Sequence, residues 1–270
     1  MIDWILRFFK GVLIGTGFIL PGVSGGALAA VFGLYERIID FIAHITKNFL
    51  KNVLFFIPVG LGALGGMFLL SHPLSFFLEN YETEVLWGFI GCILGTLPAL
   101  WKEAGREGRG KKDYIILVLS AVIGFVVLFG AKQYFKIQAP LNFITWILAG
   151  AIIALGVLIP GMSPSNFLVY FGMYQPMVSA FKTFDFHVLL PILLGGAVCL
   201  FSLSSLIDML LKKIYSGLFH FVFGIVIAST IMIVPTNYNY LSGGTIICIL
   251  ALIAGTALGL WMSRLEEKYK

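Results

Sequence analysis

Two short motifs hold the residue types best suited to chemistry, Pro21-Gly22-Val23-Ser24-Gly25-Gly26 and Pro160-Gly161-Met162-Ser163-Pro164-Ser165-Asn166. Each interrupts an otherwise apolar run, 11–34 and 150–173. Proline removes a backbone donor and clashes with the preceding turn, and the glycine beside it lets the backbone reverse. A helix that begins just past such a break has N–H groups without intrahelical partners. With the Ser24, Ser163 and Ser165 hydroxyls, the Asn166 amide and the positive end of the helix dipole, these groups would make an anion site. Gly22, Gly25 and Gly26 would let a ligand come close to the backbone. Small residues also bring membrane helices together with no ligand, so one motif alone reads as packing. Two at matching places in a repeat favour a ligand.

The repeat is explicit. Gly11 to Tyr35 aligns with Gly150 to Tyr174 at a constant offset of 139, and after a six-residue shortening Pro58, Gly62 and Gly91 fall on Pro191, Gly195 and Gly224. Eight apolar segments result, four per repeat. Six read as ordinary spans, about 53–70, 85–101, 114–131, 188–206, 218–234 and 245–262. The other two carry the breaks. Gly11 to Leu20 makes roughly 15 Å of helix, about half of a ~30 Å hydrocarbon core, so these segments are expected to re-enter and not cross. The expected fold is an all-α polytopic membrane protein in one membrane domain. Residues 1–10 would form an interfacial helix, 11–131 repeat 1 (hairpin about 11–45) and 150–265 repeat 2 (hairpin about 150–181). Each repeat is a re-entrant hairpin followed by three transmembrane helices.

Composition agrees. Of 270 residues, 59% are hydrophobic and 11% charged, with a mean hydropathy of +0.99, whereas a soluble domain carries roughly 25% charged residues. Lipid must be the solvent for most of the surface. The net charge of +5 comes from short clusters between apolar stretches, which encode topology and not nucleic-acid binding. Cys92, Cys199 and Cys248 lie in apolar stretches at unrelated spacings and read as packing residues, with no disulfide framework or metal site. The first ten residues lack a small-residue cleavage site, so a signal peptide is not expected; Asp3, Arg7 and Lys10 share a face, as on an interfacial helix.

Charge placement tests re-entry. With both hairpins re-entrant and the N-terminus cytoplasmic, only Lys132, Lys136 and Lys182 of the 18 lysines and arginines fall outside, leaving 15 inside. With both segments spanning, the division is 9 and 9. The positive-inside rule favours re-entry. Three spans per repeat, an odd number, then require inverted repeats, with hairpin tips meeting near the midplane from opposite faces, an arrangement associated with translocation. Both termini are expected in the cytoplasm.

Charged residues near the hairpins are few. Glu36 and Asp40 share a helical face, with Arg37 beside them; they are either a solvated helix end or a mouth that handles protons or a headgroup. The second repeat has Gln175 and Pro176 at the positions of Glu36 and Arg37. Tyr35 and Tyr174 read as interfacial anchors or ligand contacts. His220 reads as a boundary residue, and the loop Lys102 to Asp113 as a topology determinant that also attracts anionic headgroups.

At these residues the chain resembles a known family. PGVSGGALAAVFGLYERI, with its echo PGMSPSNFLVYFGMY, is similar to the polyprenyl-phosphate transporters named PopT, and the resemblance covers essentially the whole chain. It implies a flippase-type translocase of undecaprenyl phosphate in the bacterial plasma membrane. The lipid carrier would return from the outer to the inner leaflet for cell-wall (peptidoglycan) biogenesis, with neither enzymatic activity nor a cofactor. By position, Pro21, Gly22, Ser24, Gly25, Gly26 and Glu36 match the family's first motif, and Pro160, Gly161, Ser163 and Ser165 its second. Pro164 stands where glycine is usual, which leaves fewer N–H groups in the second hairpin.

Two other readings fit broken helices. One is a membrane phosphatase acting on undecaprenyl pyrophosphate, which needs a cation to stabilise the transferring phosphoryl group; neither motif contains arginine. The other is a small-anion channel or transporter, for which helix N-termini at midplane would serve equally.

Overall fold

Every regular element among the described residues is a helix. The computed structural model describes residues 2–20, 25, 28–29, 32, 34–43, 47–135, 140–158, 164–238, 240 and 244–269. In chain order the helices are α1 (Ile2–Ile19), α2 (Tyr35–Ala43), α3 (Phe49–Asn80), α4 (Glu82–Ala104), α5 (Lys111–Phe135), α6 (Phe143–Leu158), α7 (Ser165–Tyr170), α8 (Tyr174–Thr183), α9 (Phe186–Lys213), α10 (Tyr215–Met232) and α11 (Gly244–Tyr269). Six of them, α3, α4, α5, α9, α10 and α11, hold stretches long and apolar enough to cross a membrane. They coincide with the six expected spans. The chain is a multi-pass membrane protein. α10 is the most buried of the six, while α5 and α11 turn most of their apolar surface outward, where lipid replaces water as solvent.

Two boundaries differ from those expected. α1 runs unbroken across residue 10. α3 continues past residue 70 to Asn80, because Leu74 and Leu78 belong to the same buried cluster as Ile19, Phe89 and Tyr174.

The packing is pairwise and repeats itself. α1 packs on α3 and α6 on α9; α4 packs on α11 and α10 on α5; α3 touches α8 and α9 touches α2; α4 meets α10. Exchanging α1 with α6, α2 with α8, α3 with α9, α4 with α10 and α5 with α11 leaves this set of pairs unchanged. Glycine makes the pairs tight. A Cβ on Gly11 would stand 2.1 Å from the Val59 carbonyl oxygen, and one on Gly62 would stand 2.0 Å from that of Phe8. The second repeat has the same contacts, Gly150 on Ile192 at 2.0 Å and Gly195 on Ile147 at 1.9 Å. Lipid gives no hydrophobic reason for one helix to choose another, so close backbone approach at small residues makes the choice.

The glycine contacts also give direction. Gly11 and Gly15 face Val59 and Ala63, and Gly62 and Gly66 face Phe8 and Val12, so α1 runs parallel to α3. Ile19, at the end of α1, shares a buried cluster with Met67 and Leu70, near the middle of α3. Gly91 and Gly95 meet Leu252 and Thr256, which makes α4 parallel to α11. Gly217 meets Ile116, Gly224 meets Leu117 and Gly124 meets Ile225, which makes α5 parallel to α10. Between α7 and α8, Gly172 has φ +70°, the left-handed region where a side chain is strained. That accounts for a glycine at this place in the motif.

Candidate functional site

A helix that stops at membrane depth leaves carbonyl groups that no water can satisfy. The last carbonyls of α1 are met by donors from the far half of the chain. Ser165 Oγ donates to the Phe18 carbonyl (3.3 Å), and Tyr174 Oη donates to the Ile19 carbonyl (2.5 Å). Leu20 N–H closes onto Thr16 O (3.0 Å). The Tyr174 ring lies edge-on to Phe89 at 5.4 Å, and the residue is 2% exposed. Tyr174 is therefore a buried latch between the halves and not an interfacial anchor. The need for a donor at the bare end of α1 outweighs the usual preference of tyrosine for the headgroup region.

Asn166 follows Ser165 on α7 and is completely buried, yet neither its Nδ2 nor its Oδ1 has a hydrogen-bond partner. Among the described residues the only other such side-chain atom is Nε2 of His220. An unmet polar group costs about 1–3 kcal/mol, so a buried amide with both ends idle suits a site awaiting a polar ligand. The amide is neutral and bifunctional: Nδ2 can donate to an anionic oxygen and Oδ1 can accept from a protonated one.

Of the other expected site residues, Gly25 is buried, and a Cβ there would lie 2.8 Å from the Phe18 ring. Its lack of a side chain lets Gly25 lie against Phe18 near the end of α1. Tyr35 and Glu36 open α2, their side chains lying outside what the structure describes. Pro21, Gly22, Ser24, Gly26, Pro160, Gly161 and Ser163 lie outside the described residues. His220, expected at a boundary, is fully buried: Nδ1 donates to the Ser216 carbonyl (2.7 Å), and the Trp101 and Tyr114 rings stand edge-on to it.

Arg37 lies with two cations that had looked like topology charges. Its guanidinium stands 3.4 Å from the centre of the Phe55 ring and donates to Asn52 Oδ1 (3.4 Å). Arg7 stands 4.5 Å from the same ring centre, donates to the Phe55 carbonyl (2.9 Å) and pairs with Asp3 (2.7 Å). Lys10, on the same side of α1, donates to the Phe32 carbonyl (3.0 Å). A signal for this group was present in the repeat, because positions 7, 10 and 37 correspond to Trp146, Ala149 and Pro176.

A family model described as VCA0040-like, undecaprenyl phosphate translocase-like, matches residues 14–243. The chain belongs to that family. The match spans both Pro-Gly motifs, the end of α1 and Asn166. Two relatives bear the name polyprenyl-phosphate transporter. One, from Vibrio cholerae serotype O1, is 27% identical over 247 residues, covering 86% of this chain and 78% of its own length. The other, from Staphylococcus aureus, is 27% identical over 274 residues, covering 95% and 96%. No solved structure gives a significant match.

The latch carries its own prediction. Tyr174→Phe keeps the ring but strands the Ile19 carbonyl in a dry environment, which costs about 1–3 kcal/mol. The thermal midpoint in detergent should fall. An unchanged midpoint would show that the hydroxyl holds nothing.

Proposed function

We propose that this protein is a translocase, not an enzyme, that moves a polyprenyl phosphate from the outer to the inner leaflet of a bacterial plasma membrane. The carrier would thereby return for further cell-wall precursor export. The observation that carries the reading is the buried, partnerless Asn166 amide beside the joined ends of α1 and α7. Family membership and the names of the relatives supply the lipid class.

The architecture we propose is a pair of inverted repeats, each a re-entrant hairpin and three spans. Re-entry is supported by the parallel course of α1 and α3, with α1 ending midway along its neighbour and Phe32 already back beside Lys10. Inversion is supported by direction. α4 and α5 are successive spans joined by residues 105–110, so they run oppositely; α5 is parallel to α10, and α4 therefore opposes its counterpart α10. The headgroup would sit at the tips, among Pro21, Gly22, Ser24, Gly25 and Gly26 on one side and Pro160, Gly161, Ser163, Ser165 and Asn166 on the other. The break between α1 and α2 would open toward the cytoplasm, where both termini lie, with Tyr35, Glu36 and Arg37 at its mouth. A phosphate monoester carries about −1.5 to −2 charges near neutral pH, and an inside-negative potential opposes its return by ~2.3 kcal/mol per charge per 100 mV. Glu36, the acid that follows the first motif, would accompany it with a proton.

Reconstitution into vesicles with a leaflet-specific assay of polyprenyl phosphate is the direct test. Protein-dependent loss of the lipid from one leaflet is expected; its absence, or release of inorganic phosphate, would end the reading. Topology is tested separately. The native cysteines are buried, so Asn48→Cys should label from the cytoplasmic side and Thr183→Cys from the outside. Labelling of both from one side would remove the inverted architecture.

A further inference from the structure

The geometry points to a second phosphate-binding site, formed by Arg7, Lys10 and Arg37 where α1, α2 and the start of α3 come together, that holds the headgroup of a prenyl phosphate before or after it occupies the tips. This inference rests on the translocase reading and adds to it a site built from other residues. Arg7 and Lys10 lie before the segment that the family model matches.

The first argument is convergence. Two guanidinium carbons stand 4.5 and 3.4 Å from one ring centre, Phe55, so they are no more than about 8 Å from each other. Lys10 is one helical turn beyond Arg7 on the same helix. Three like charges drawn from two helices repel one another; Asp3, on the exposed side, offsets part of this at Arg7, and a further anion among the three heads would offset more.

The second argument is direction. Cationic side chains at a membrane boundary normally snorkel outward to water and headgroups. These turn inward: the Arg7 side chain is only 16% exposed, and Arg7 and Lys10 donate to main-chain carbonyls of Phe55 and Phe32. Among the described residues each head still has more N–H donors than acceptors, and guanidinium groups suit phosphate oxygens in paired geometry.

The third argument is internal. The second repeat builds the same α6–α9 packing with Trp146, Ala149 and Pro176 at these three positions. Packing of the fold therefore does not require the cations. A cavity of about 580 Å³ beside Trp146 and Pro176 includes Asp185 and His187 but no lysine or arginine. One end of the molecule is equipped for a phosphate and its counterpart is not. Leu6, Phe9 and Leu13 of α1 and Leu50 and Leu54 of α3 are exposed apolar residues on the helices that carry Arg7, Lys10 and Phe55, and they would give a prenyl chain a surface to lie on.

Farnesyl monophosphate is the probe, titrated onto the full-length protein in nanodiscs at several salt concentrations, with inorganic phosphate as the parallel titrant. Measurement in an Asn166→Leu background separates this site from the tips. Binding that persists there, weakens with salt and falls roughly ten-fold or more in Lys10→Gln/Arg37→Gln is the expected result. Should the double variant not melt cooperatively, the two single variants decide, each expected to bind at least about three-fold more weakly and with a shallower salt dependence. Binding unaffected by these changes, or absent in the Asn166→Leu background while the unmodified protein binds, overturns the second site and leaves the translocase reading intact. Failure of the unmodified protein to bind or move the lipid overturns that reading instead. Equal competition by inorganic phosphate would show that a free anion, not a lipid headgroup, is the ligand.

Discussion

Asn166→Leu is expected to slow translocation roughly ten-fold or more while leaving the protein as stable as before, or more so. The two side chains have similar shape, and the amide has no partner for either polar atom in a fully buried position. Replacing an unmet buried polar group with an apolar one removes a penalty of about 1–3 kcal/mol, so the thermal midpoint should hold or rise. If the amide meets the phosphate in transit, losing a hydrogen bond to a charged group costs about 1.5–3 kcal/mol, a slowing of roughly ten-fold or more. Opposite signs for stability and transport are a signature that packing residues do not give. Tyr174→Phe, at the same end of α1, should behave the other way, because its hydroxyl is engaged. Normal transport by Asn166→Leu, or a lowered midpoint, would return this amide to the structural residues and remove the main support for the tip site.

The second large effect is expected from glycines. Gly195→Leu places a Cβ 1.9 Å from the Ile147 carbonyl oxygen, and Gly62→Leu places one 2.0 Å from that of Phe8. Both obstacles are main chain and cannot rotate aside, so α6 or α1 must move bodily away from its partner. Overpacking costs about 1–3 kcal/mol where side chains can adjust, and the loss here should reach or exceed the upper figure. Because α1 and α6 each lead into a Pro-Gly break, any protein that still folds should transport poorly. Gly65, on the same helix as Gly62, has nothing within 4 Å of a Cβ, and Gly65→Leu is the matched control. Similar melting curves for Gly62→Leu and Gly65→Leu would mean that α1 and α3 are not in backbone contact.

Much of the architecture was legible because it depends on local quantities. Hydropathy and length locate a span wherever it packs, and all six appear where composition places them. Prolines and glycines at a fixed offset exposed the repeat, and charge counting argued for re-entry before any geometry. The partnerships were not legible. Gly62 and Gly195 stood out as recurring residues, but nothing in the chain says that they press on Phe8 and Ile147. In lipid every span is equally apolar outside, and the choice among neighbours falls to surfaces that come together only in three dimensions.

The site divides in the same way. That serines, glycines and Asn166 cluster at two breaks was a matter of sequence alone. Which of these groups are spent and which idle was decided by tertiary structure. Ser165 and Tyr174 are used to satisfy the bare end of α1, 147 and 155 residues away in the chain, while Asn166, one residue from Ser165, has no partner at all. Arg7 and Lys10 read as topology charges because a linear count sees only their sign. Folding α1 against α3 turned Arg7 onto the same ring as Arg37 and brought Lys10 to the Phe32 carbonyl, since a helix buried along one face must carry its polar groups to whatever acceptors that face meets.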